Sequence, residues 1–158
     1  MPETEIRPGV LVRPARREDL PALLGLLADD PLGAAREEIG HPPADCYVQA
    51  FEAMDGDPNH ILAVVEKAGE VVGTFQLSFL PGLARKGAWR GQIEAVRVSG
   101  QLRGEGVGAA MIDWAIRSCR ERGCALVQLT SDVTREDAHR FYERLGFVAS
   151  HTGFKLAL

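Results

Sequence analysis

Long apolar runs are missing from this 158-residue chain. None approaches the roughly 18 consecutive apolar residues of a membrane-spanning helix, so no membrane partner is expected. The opening MPETEIRPGV has neither a basic n-region nor an apolar h-region, so nothing marks the chain for export and the cytoplasm is its expected location. Cysteine is scarce. Cys46, Cys119 and Cys124 are an odd number without a C-x-x-C pair, which argues against a disulfide framework or a zinc site and for small buried hydrophobes. His41, His60, His139 and His151 never fall at ligand spacing with one another or with a cysteine, so no metal is expected. A basic excess is also lacking. Eighteen Lys+Arg against 22 Asp+Glu give a net charge of −4, which disfavours a nucleic-acid partner. There is no internal repeat, low-complexity tract or linker.

What is present reads as one globular domain over residues 1–158, with 46% hydrophobic and 25% charged residues. Val10 to Val12 is a short first strand. Leu20, Leu23, Leu24 and Leu27 form one helical stripe, and Tyr47, Phe51 and Met54 mark a second helix after a loop from Asp30 to Pro43. Ile61–Glu66 and Val71–Leu80 form a hairpin, the second arm alternating Phe75, Leu77 and Phe79 with Thr74, Gln76 and Ser78. After a loop at Leu83–Gly91 comes a strand from Gln92 to Val98. A helix follows from about Val107 to Arg122, closed by Gly123, and then a strand from Ala125 to Thr130. Thr134-x-x-Asp137 opens a last helix as a capping box and Gly146 closes it; Phe147–Ala149 and Phe154–Leu158 are the final strands. The fold class is α+β (mixed α/β), with a mixed, largely antiparallel sheet of about seven strands and about four helices.

The segment that carries chemistry runs from Val98 to Ala109. Glycines at 104, 106 and 108 remove side chains where a ligand must approach the backbone, and the helix that starts there leaves outward N–H groups suited to phosphate. Three readings compete for it. Gly104-x-Gly106-x-x-Ala109 fits a dinucleotide fingerprint, but about 100 residues of antiparallel pattern precede it and no second crossover follows. No Gly-Lys-Ser/Thr occurs, which excludes a Walker A loop. Structural glycines are the second reading.

The third reading takes in the flanks. Ile93-Glu94-Ala95-Val96-Arg97-Val98, Arg103-x-x-Gly106-x-Gly108 and Ala138-His139-Arg140-Phe141-Tyr142-Glu143-Arg144-Leu145-Gly146-Phe147 together resemble the GCN5-related N-acetyltransferase (GNAT) family, most densely from Gln92 to Phe147. The resemblance implies a fourth strand split by a bulge, with the cofactor-binding core at about 92–147. It implies acetyl-CoA as acyl donor, its pantetheine arm on the backbone of Val96, Arg97 and Val98. Its pyrophosphate would lie on Arg103, Gly104, Gly106, Val107, Gly108 and Ala109, with Phe141 also at the cofactor. Many members carry Asn where this chain has Arg135, which replaces a side-chain amide by a cation. The implied activity is N-acetyl transfer to a primary amine by direct attack in a ternary complex. A small-molecule amine is the favoured partner; a protein amine or a non-catalytic acetyl-CoA sensor is the alternative, and a homodimer is open.

Acyl transfer to an amine poses two proton problems. The acceptor must be neutral to attack, yet a primary amine with a pKa of roughly 10 is almost fully charged at pH 7. Glu94, on the strand flanking the implied thioester, is the candidate base. The departing thiolate leaves more readily when protonated, and Tyr142, about 100° round the last helix from Phe141, is the candidate acid. His139 reads as a surface residue, His151 as a remote candidate for the acceptor site, and Trp89 and Arg90 as part of a loop that helps form it.

Overall fold

Phe75, Leu77 and Phe79, three alternate residues of one strand, are all buried on one face of a sheet, as their spacing requires. The computed structural model describes residues 3–158, which fall into two compact units divided after Gln128.

The first unit is built on a six-stranded sheet in the order β1 (Thr4–Arg7), β2 (Val10–Pro14), β3 (His60–Lys67), β4 (Glu70–Leu80), β5 (Arg90–Val98) and β6 (Leu126–Leu129). β1 to β5 form an antiparallel meander. Its helices are α1 (Leu20–Leu27), α2 (Pro31–Ala34), α3 (Asp45–Asp55), α4 (Ala84–Gly87) and α5 (Val107–Glu121), with α1 entered through a 3₁₀ turn at Arg17–Asp19. The expected first strand is therefore the second, paired with Thr4–Arg7 ahead of it. The short helices α2 and α4 lie inside stretches that read as loops. Asp30 accepts from the Gly33 amide at 2.7 Å and Pro31 presets the first turn of α2, which is enough to close one turn.

α5 covers one face of the sheet. Val107, Met111, Ile112, Trp114, Ala115 and Cys119 are buried, and the Trp114 ring meets Phe75 edge-on at 5.7 Å. A β-carbon on Gly91 would sit 2.2 Å from the Cys119 sulfur, so only glycine lets the end of α5 pack so close to β5. On the other face Val64 packs with Ala15, Leu20, Leu23 and Phe51. Each such large apolar side chain contributes about 1.5–3 kcal/mol by leaving water.

One ion pair, Arg13 with Asp19, is buried within this apolar frame. Arg13 donates to Asp19 at 2.7 and 2.9 Å and to Glu66 at 3.0 Å, which offsets the penalty for taking the guanidinium out of water. Burial pushes the Asp19 carboxyl up, but hydrogen bonds from Arg13 and from the Arg16 amide outweigh it and hold it below the usual carboxylate range.

The second unit, from Leu129 onward, carries α6 (Glu136–Arg144). Gly146, with φ of +90°, closes it as expected, through Gly146 N to Glu143 O at 3.0 Å and Phe147 N to Tyr142 O at 3.1 Å. The expected capping box does not form. Thr134 turns its amide and hydroxyl to Asp132, at 3.0 and 2.7 Å, and Arg135 occupies the cap position. The local turn at Asp132 satisfies Thr134 before the helix can use it. Phe147–Ala149 and Phe154–Leu158 are not strands, and Phe154 and Leu156 are exposed. Their alternation specifies a face, whereas a strand also needs a paired backbone. Among the described residues the count is six strands and six helices, against about seven and about four expected.

Candidate active site

The path from sheet to helix α5 supplies the site. In β5, Glu94 pairs with Gln76 and Arg97 with Thr74, so three steps on β5 match two on β4. The extra residue is a β-bulge, and Ala95 takes φ of +53° to make it, a left-handed conformation that an alanine holds only when its surroundings impose it. This is the split strand that the sequence led us to expect, fifth in chain order because β1 precedes the count. Glu94 and Ala95 are exposed at the bulge, while Val96, Arg97 and Val98 are half-buried beyond it. Arg97 donates to its neighbour's Val96 carbonyl at 2.9 Å and lies 3.5 Å from Asp30.

The chain then turns through residues 99–106 into α5. Gly104 and Gly106 have φ of +86° and +76°. The helical bond from Ala110 N to Gly106 O at 3.1 Å opens the ladder, so the amides of Val107, Gly108 and Ala109 precede it and point out of the helix start. Arg103 is exposed, 3.9 Å from Asp29, and Lys67 reaches Glu105 at 3.2 Å. Unsubstituted backbone, left-handed turns and a helix start with cations beside it suit a diphosphate. The residues therefore fit the phosphate end of an acetyl-CoA molecule.

The structure gathers Glu94, Val96, Arg97, Val98, Arg103, Gly104, Gly106, Val107, Gly108 and Ala109 into one continuous strand, turn and helix start. Phe141 and Tyr142 belong to the other unit, where both are half-buried and their rings meet at 5.1 Å, with Phe147 5.9 Å from Tyr142. His139 bonds the Asp132 carbonyl oxygen at 2.8 Å, and His151 is exposed beside Ser150. Trp89 is half-buried and Arg90 exposed at the start of β5.

Sequence reasoning missed several groups. Arg7 of β1 lies against Gly106, and Asp29 and Asp30 face Arg103 and Arg97; no local pattern marks any of the three. It also took Thr74, Gln76 and Ser78 as one arm of a half-buried hairpin, yet Thr74 and Ser78 are fully buried.

Comparison with known proteins agrees with this geometry. A family model described as Acetyltransferase (GNAT) family matches residues 23–147. The chain belongs to that family. An aminoalkylphosphonate N-acetyltransferase of Salmonella typhimurium is 30% identical over 154 residues, 98% of this chain and 95% of that one. Among solved structures, a transcriptional regulator from Bacillus halodurans is 45% identical with a TM-score of 0.92, covering 94% of this chain and 99% of that one. An acetyltransferase from Trypanosoma brucei is 29% identical with a TM-score of 0.76, covering 94% and 99%. As a GNAT member the chain is an N-acetyltransferase with the mixed α/β fold of that family. Among the described residues no helix is long and apolar enough to cross a membrane, and no group of three or more His, Cys, Asp or Glu is placed to hold a metal.

Proposed function

We propose that this GNAT enzyme moves the acetyl group of acetyl-CoA to the primary amine of a small molecule, by direct attack while both substrates are bound. One observation carries the reading. The bulge at Ala95 leaves Glu94 exposed at the point where β5 bends toward the glycine turn, so a carboxylate and a phosphate cradle lie on the same short stretch of chain. When bound, acetyl-CoA supplies an acetyl thioester. The backbone of Val96 to Val98 and the amides of Gly106 to Ala109, with Arg103 beside them, hold it. Glu94 takes the proton from the acceptor ammonium, and Tyr142 gives a proton to the departing sulfur. Phe141 completes the cofactor contacts. The resemblance to an aminoalkylphosphonate N-acetyltransferase over nearly its whole length supports a small amine bearing an anionic group as acceptor.

Thermal unfolding with added acetyl-CoA tests the donor. At 100 times the dissociation constant a ligand of the native state adds about 2.7 kcal/mol, which for a chain of this size raises the midpoint by about 5–11 °C. No rise at millimolar acetyl-CoA overturns the reading. An amine panel with thiol-release detection then separates an enzyme for small amines from one that acetylates only peptides.

A further inference from the structure

Four neighbouring strands each place a polar residue in one transverse row: His60 on β3, Ser78 on β4, Gln92 on β5 and Gln128 on β6. His60 opposes Ser78, and Ser78 opposes Gln92, while Gln128 Nε2 donates to Gln92 Oε1 at 2.7 Å. Gln76 and Glu94 oppose each other in the next row toward the bulge. Directly opposed residues share a face, so these six side chains form one polar strip. Ser78 is buried, His60, Gln76, Gln92 and Gln128 are half-buried and Glu94 is exposed, so the strip runs from the core out to an accessible edge.

A chain of polar contacts runs through the strip. The His60 ring places Nε2 3.6 Å from Asp57 Oδ2 and Nδ1 2.8 Å from the Ser78 hydroxyl. With the Nε2 proton turned to Asp57, Nδ1 accepts from Ser78, whose oxygen in turn accepts a long bond from Gln76 Nε2 at 3.5 Å. That order commits the nitrogen of the Gln76 carboxamide and leaves its Oε1 to accept, in the same row as the Glu94 carboxylate. In the adjoining row the Gln92 oxygen is taken by Gln128, so its Nε2 remains to donate.

We propose that this strip is the acceptor subsite, an inference that rests on the acetyl-transfer reading above. Gln76 Oε1 and Glu94 receive the amine, and Gln92 Nε2 receives an oxygen of the same molecule. His60 is a positioning residue that, through Ser78, sets which way the Gln76 carboxamide faces. Two residues along a strand advance about 6.6 Å, so the strip selects a primary amine whose hydroxyl or oxyanion lies two or three carbons from nitrogen.

The test compares 2-aminoethylphosphonate, 2-aminoethanol and propylamine in steady-state acetylation, and in calorimetric titration of the protein saturated with coenzyme A. His60→Ala and Gln76→Leu are each expected to raise KM about tenfold for all three amines, leaving kcat and the KM for acetyl-CoA unchanged. The double variant is expected to be no worse than Gln76→Leu alone, because His60 acts through Gln76. Gln92→Leu is expected to raise KM about tenfold for the two oxygen-bearing amines and to leave propylamine unaltered. Should His60→Ala fail to fold, Ser78→Ala breaks the same chain and carries the same expectation. Additive effects of His60→Ala and Gln76→Leu, or a fall in kcat with unchanged KM, overturn the proposal. So does absence of binding of the two oxygen-bearing amines to the native protein at millimolar concentration. Loss of acetyl-CoA binding in the native protein would instead overturn the donor reading, so the two failures are distinct.

Discussion

A β-carbon placed on Gly106 would come within 2.9 Å of Arg7 Nη1, so a guanidinium from the first strand lies against the turn that opens α5. The hairpin at the start of the chain and the turn a hundred residues later thus form one surface, and the missing β-carbon of Gly106 is what makes room for it.

Gly106→Ala is expected to lower stability by about 1–2 kcal/mol, the ordinary penalty for an L-residue held in the left-handed region. Arg7 is long and exposed and can swing aside, so backbone strain dominates over the clash. Urea unfolding should show a lower midpoint with unchanged slope, together with weaker acetyl-CoA binding. A variant as stable as the parent would contradict the strain argument.

The two proton-transfer assignments separate kinetically. Tyr142→Phe is expected to reduce turnover at least tenfold with little change in acetyl-CoA affinity. Glu94→Gln should reduce the rate most near neutral pH, and the loss should shrink as pH rises toward the amine's own pKa of roughly 10, where the acceptor needs no base. A deficit independent of pH would remove Glu94 from that role.

Asp19 links stability to acid. Its carboxyl titrates lower in the folded chain than in the unfolded one, so its stabilisation is complete above the unfolded value of about 4 and is lost as pH falls through the folded one. Asp19→Asn is expected to destabilise by about 3–5 kcal/mol at neutral pH, because it weakens the main partner of a buried guanidinium. It should also flatten the acid limb of the stability profile measured by urea unfolding between pH 2 and 6.

The thiols are expected to differ sharply in reactivity. Burial pushes Cys119 up to about 12 and raises Cys124 as well, whereas Cys46 is exposed. Alkylation of the native protein at pH 8 should modify Cys46 first, with Cys119 reacting only on unfolding, as mass spectrometry of the modified peptides would read. Rapid labelling of Cys119 would show that the end of α5 opens.

Local chemistry was legible before any tertiary contact. The stripe of α1, the glycine that ends α6 and the turn between β5 and α5 all follow from residues close in sequence, whereas the bulge beside Glu94 was implied by the family resemblance. Their causes act over one or two turns of backbone: a period of 3.6, a φ that only glycine takes freely, a motif whose glycines are two apart.

Contacts between distant residues were decided by register instead. Arg7 meets Gly106, His60 meets Ser78 and Gln92 meets Gln128 only because the meander sets which residues oppose one another. Alternation fixed the faces of Phe75, Leu77 and Phe79, but it could not tell that Ser78 on the opposite side would be buried, nor that Phe154 and Leu156 would find no strand to pair with. A side-chain period records which way a residue points, while the neighbour it meets there depends on the pairing of the whole sheet.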